Sequence, residues 1–186
     1  MKRTILAGIL GGVAMFLWSG IAHTALPLGE AGIQQIQNED PLLAAMQTAL
    51  PSHGFYMFPN MPPGMSQEQY QGKVTNGPSG LLIYFPKRDF SFGRSLAVEF
   101  GTELLMALLV TYLLSTSSAG SFGARFGFVA LAGVIGACGT NLSYWNWYGF
   151  PSKYTAAYVF TIWIGYVFAG LVAASMKIGG AHARTA

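Results

Sequence analysis

The sequence predicts an all-α integral membrane protein: a four-transmembrane-helix bundle with a ~70-residue mixed, loop-rich extracytoplasmic segment between helices 1 and 2. Three observations predict it. Only 9% of the 186 residues are charged, while 52% are hydrophobic and 14% aromatic; a soluble domain carries about 25% charged residues. Four apolar stretches reach or approach the about 20 helical residues that cross a bilayer core. Eight of the nine prolines fall between the first and second stretches, where they oppose long regular elements.

The first stretch, residues 4–22, carries no charge. The basic Met1-Lys2-Arg3 and the small-x-small Gly20-Ile21-Ala22 have the form of a secretory signal. The apolar run is long, however, and holds Trp18 near its end, so residues 1–22 are expected to stay as an anchor. The second stretch, 96–114, lies in a helix at about 95–115 and contains Glu99 and Glu103. The third, 126–141, is extended by 122–125 to a helix at about 123–141. The fourth, 154–176, follows Pro151, where proline is tolerated next to a helix start, and gives a helix at about 153–176. Residues 93–186 therefore read as a three-helix transmembrane region.

Orientation follows from Lys and Arg density. With the N-terminus in the cytoplasm, the short inner segments hold Lys2, Arg3, Arg125, Lys177 and Arg184 and no acid. All seven acids fall in the long first loop or in helix 2. The expected arrangement is N-in and C-in, in a bacterial cytoplasmic membrane, with residues 23–92 outside. Gly8 and Gly12, Gly123 and Gly127, and Ala169 and Ala173 are each four apart, the spacing that lets helix backbones approach in lipid.

Within 23–92, residues 30–38 and 41–50 read as short helices. In the second, Leu42, Leu43, Met46 and Leu50 share a face, and Pro51 stops it. Residues 53–65 read as turn-rich, Asn76-Gly77-Pro78 as a turn and 81–85 as a short strand. A segment of this size and irregularity is marginal alone. It is expected to cap the outer ends of the helices.

Several classes are excluded. Ten Lys and Arg in the whole chain are too few for a nucleic-acid surface. The single Cys138 excludes an intramolecular disulfide and a cysteine-held zinc or iron–sulfur site within one chain. Neither a haem-binding nor a nucleotide-binding motif appears, and His23 has no Gly-x-Ser-x-Gly partner.

Three constellations can carry chemistry. Glu99 and Glu103 share a helix face inside a span, where acids are expensive and mark candidate sites; His23, Asn141 and Tyr158 fall at a similar depth as ligand or proton partners. The competing reading places both acids in the first turns of the helix, where the dipole favours negative charge. Next come His53, Met57, Met61 and Met65, evenly spaced by four; thioethers with an imidazole suit Cu(I), although methionine also fills apolar gaps. Last, Trp145, Trp147 and Tyr148 are expected in the outer loop between helices 3 and 4, as an interface belt or a contact to a lipid-like ligand.

The expected function is a non-catalytic accessory or structural subunit of a membrane assembly. Its partners are the bilayer and other membrane subunits or a second copy of the chain. Two alternatives stand beside it: a small-ligand or metal-binding membrane protein using the Glu/His site or the methionine run, and an enzyme acting on a lipid-like substrate.

Overall fold

The structure is a computed structural model that describes residues 1–180; Arg184, counted among the inner basic residues, lies outside the described residues. The elements run α1 (Lys2–Thr24), α2 (Glu39–Ala49), β1 (Gly54–Phe58), α3 (Gln67–Asn76), β2 (Gly80–Tyr84), α4 (Phe92–Ser115), α5 (Phe122–Tyr148) and α6 (Ser152–Ser175). Four of these helices, α1, α4, α5 and α6, are long and apolar enough to cross a membrane. The chain divides into two compact units. One holds Met1–Ile33 and the chain from Ser91 onward, and the other is Gln34–Phe90.

The expectation of an all-α protein with a loop-rich insertion is therefore corrected. Between α1 and α4 lie two helices and an antiparallel hairpin, in which Phe55 pairs with Ile83 and Met57 with Leu81. Backbone polar groups must find partners, and this stretch satisfies them by regular structure. Ser66 accepts from the Gln69 backbone N–H while the Gln69 side chain accepts from the Ser66 N–H, a reciprocal capping box that starts α3. Gly54-Phe55-Tyr56-Met57-Phe58 is rich in residues that fit a pleated surface, and it forms a strand where a turn-rich run was expected. Residues 30–38 are not helical. Gly32 and Asn38 have φ of 80° and 56°, and α2 starts only at Glu39.

In the other unit, α1 packs against both α4 and α6, and α5 packs against α6; α4 and α5 scarcely touch. Glycine makes the α1 contacts possible. A Cβ on Gly12 would come 2.7 Å from Leu104 Cα, and one on Gly8 would come 2.7 Å from Leu108 Cδ2. Gly11 faces Ala169 of α6. On α5, Gly133 leaves room for Tyr166. The core is Ala7, Met15, Ala107, Val110, Leu114, Val129, Tyr166, Ala169, Ala173 and Ile178. Large apolar side chains along the spans remain exposed, among them Leu17, Leu105, Leu109, Leu131 and Ile135, which suits helices whose solvent is lipid.

Helix ends follow local chemistry. Ser91 and Ser121 accept from the N–H groups of Arg94 and Ala124 at the starts of α4 and α5. Gly149, with φ of 71°, closes α5 in the left-handed conformation that glycine tolerates. Helix α5 therefore runs to Tyr148. This places Trp145, Trp147 and Tyr148 on the helix and not in a loop. At the opposite end, Arg125 Nε donates to the Ile178 carbonyl at 2.8 Å, and Gly180 N–H donates to the Ser117 carbonyl. These bonds tie the chain after α6 to the first turn of α5 and to the turn after α4.

Candidate functional site

A cavity of about 230 Å3 lies between the spans. Helix α1 lines it with Met15, Trp18, Ser19 and His23, and α4 with Glu99, Glu103 and Met106. Gly136 comes from α5, and α6 adds Tyr158, Thr161, Ile162, Gly165 and Tyr166. Helical periodicity explains the sets. Trp18 and Ser19 lie three and four residues after Met15, and His23 four after Ser19, while Glu99, Glu103 and Met106 recur at intervals of four and three.

Glu103 is the centre of this site. It is 6% exposed, and its Oε2 is buried with no hydrogen-bond partner. Among the described residues the only other such side-chain atom is Thr155 Oγ1. Because α4 starts at Phe92, earlier than expected, Glu99 is its eighth residue and Glu103 its twelfth of 24. The helix-dipole effect fades within the first turn, so it does not account for either acid. A carboxylate in this position requires a proton or a cation to neutralise it.

Around Glu103 the groups are fixed. The Ser19 carbonyl can only accept, so His23 Nδ1 donates to it at 2.9 Å. That bond leaves Nε2 of a neutral His23 as the free acceptor atom. Residues 25–33 fold back over this end of α1: Leu28 N–H donates to the Ala22 carbonyl, and Ile33 N–H to that of Glu30. Gly29 lies on the His23 ring, where a Cβ would collide, and Gly32 lies against the Tyr154 backbone. Trp18 Nε1 donates to the Thr161 carbonyl at 2.9 Å, pinning α1 to α6 beside the cavity.

Of the residues singled out in the sequence, His23, Glu99, Glu103 and Tyr158 line this one cavity. Asn141 does not join them; its Nδ2 donates at 2.8 Å to the Ala137 carbonyl one turn back on its own helix. Trp145 donates to Ser152 Oγ at 3.0 Å, Tyr148 packs on Tyr144, and Trp147 is 80% exposed. The aromatic rings do reach the cavity by another route. Tyr144, Phe150, Tyr154 and Tyr158 follow one another at centroid separations of 5.4, 5.4 and 4.5 Å, and Tyr158 meets His23 edge-on at 6.5 Å.

The methionine run lies in the other unit. Met57 is in β1, and the His53 ring stacks on Phe85 at 4.4 Å. The run is not one regular element, since β1 ends at Phe58 and Met65 N–H closes a turn on the Pro62 carbonyl. Among the described residues there is no group of three or more His, Cys, Asp or Glu able to hold a metal.

Sequence reasoning missed Met15, Trp18, Gly136 and Tyr166 as lining residues. The α1 and α6 positions were readable from the period shared with His23 and with Tyr158. Gly136 was not, because a missing side chain carries no chemical signal. No protein family, curated protein or solved structure matches this chain.

Proposed function

We propose that the chain is a non-catalytic membrane protein that binds a small positively charged group in the Glu103 cavity. The supporting observation is the buried, unpartnered Glu103 Oε2 in a cavity that also holds Glu99. The rest of the lining suits an organic cation. Trp18, Tyr158 and Tyr166 line the cavity with aromatic rings, to which cations are drawn. In an accessory-subunit role an apolar packing partner leaves Glu103 Oε2 unsatisfied, so ligand binding is the preferred reading.

The expected result is a melting temperature that rises when methylammonium chloride replaces sodium chloride at equal ionic strength. Saturation at about 100 Kd adds about 2.7 kcal/mol of stability. The Glu103→Gln variant should show no response. An equal response in both proteins, or none in the wild type, refutes the assignment.

In the same reading the chain sits in a bacterial cytoplasmic membrane, N-in and C-in, with Gln34–Phe90 outside. Support comes from the clustering of Lys2, Arg3, Arg125 and Lys177 in short segments on one side. A cysteine placed at Asn60 should react with an impermeant maleimide in intact cells. One placed at Ser118 should react only after the membrane is opened, and the reverse pattern would invert the topology.

A further inference from the structure

We infer that the ligand is a lipophilic amine, a primary ammonium head on an alkyl chain, which reaches Glu103 from the bilayer through the gap between α4 and α5. This inference rests on the cation-binding reading of the same cavity and adds the ligand class and its path.

The cavity is small. About 230 Å3 is below the 300–1,000 Å3 typical of sites for drug-sized molecules, so it holds a head group and the first carbons of a chain. The remainder must lie outside, and the fold leaves one side open. Helices α4 and α5 pack on different neighbours, α1 and α6, and scarcely touch each other. Yet both contribute to the lining, Glu99, Glu103 and Met106 from one and Gly136 from the other. Gly136 is exposed and presents no side chain at this rim.

Depth selects the protonation state in which the ligand travels. Glu103 is the twelfth of 24 residues in α4, about 17 Å along the axis from either end. An ammonium ion cannot wait in the hydrocarbon at that depth without a counter-charge, whereas a neutral amine dissolves there. On arrival the carboxyl O–H bond of Glu103 breaks and its proton passes to the lone pair of the amine nitrogen. The new N–H bond leaves a carboxylate and an ammonium in contact, with no net charge gained or lost. The ion pair supplies the partner that Oε2 lacks.

The test uses the full chain in nanodiscs of uncharged phosphatidylcholine, with infrared difference spectra of the protonated-carboxyl band and dodecylamine or methylamine as ligand. Dodecylamine should convert that band to carboxylate, whereas dodecanol at equal concentration should not, and Glu103→Gln should remove the change. In Gly136→Leu, which narrows the rim and the cavity lining together, dodecylamine affinity should fall at least tenfold further than methylamine affinity. The added Cβ meets the Tyr166 hydroxyl at an ordinary 3.6 Å, and Glu103-dependent methylamine binding reports that the variant has folded. Gly139→Leu, where a Cβ meets nothing within 4 Å, should bind dodecylamine as the wild type does. If both amines respond and Gly136→Leu weakens both alike or neither, lateral access is overturned and the cation site stands. If neither amine alters the band, the cation site falls with it.

Discussion

Replacing Glu103 with leucine is expected to stabilise the protein by about 1–3 kcal/mol and to abolish methylammonium binding. The two effects share one cause. A buried carboxyl oxygen without a partner carries its desolvation penalty in the folded state, and an apolar side chain of similar size removes it. Replacing buried ionic groups by apolar ones is often neutral or stabilising. Glu103→Gln separates charge from shape: it keeps the volume and a polar end, so its stability should lie between those of the wild type and the leucine variant. Denaturant titration in detergent measures the stability, and the methylammonium-dependent melting shift measures the binding. A leucine variant less stable than the wild type would show that Glu103 Oε2 already has a partner, and the site would lose its basis.

The opposite sign is expected at Gly12. Alanine there should destabilise the unit by about 1–3 kcal/mol, the usual penalty for overpacking, and valine by more. A Cβ at Gly12 would stand 2.7 Å from Leu104 Cα. Backbone cannot swing aside as a side-chain tip can, so α1 and α4 must separate. The loss should reach the cavity, because α1 brings Ser19 and His23 to face Glu103. Gly20→Ala on the same helix is the control. Nothing lies within 4 Å of its Cβ, and alanine gains about 0.5–1 kcal/mol over glycine inside a helix. If both substitutions shift stability by the same amount and sign, the close α1–α4 approach does not hold the unit together.

Long-range periodic signals were legible in the sequence. The four spans stood out because uninterrupted apolar runs of about 20 residues form little besides membrane helices. Glu99 and Glu103 stood out because acids are expensive in such runs, and His23 and Tyr158 followed from depth alone. Short elements were less legible. Phe55 and Met57 need Ile83 and Leu81 opposite them before Gly54–Phe58 is a strand, and that pairing is non-local. Helix α3 was within reach, since Ser66 and Gln69 have the spacing of a capping box. The prolines on either side drew attention to turns instead. Asn141 failed for a different reason. Depth placed it near the site, but an asparagine can satisfy itself on the preceding turn of its own helix.

The glycine face of α1 also has a consequence in time. Helix α1 leaves the ribosome before its closest neighbour α4, which follows only after the two short helices and the hairpin have been made. At about 5–20 residues per second, the intervening ~70 residues take several seconds. During that interval Gly8 and Gly12, the glycines that receive α4, form an unfilled notch in lipid, open to any helix with a matching surface. Helices α5 and α6 face no such delay, being joined by a turn of a few residues and packed on each other. Competition for this notch by a foreign helix or a second nascent chain is thus confined to the period before α4 arrives, and the length of the insertion sets how long that period lasts.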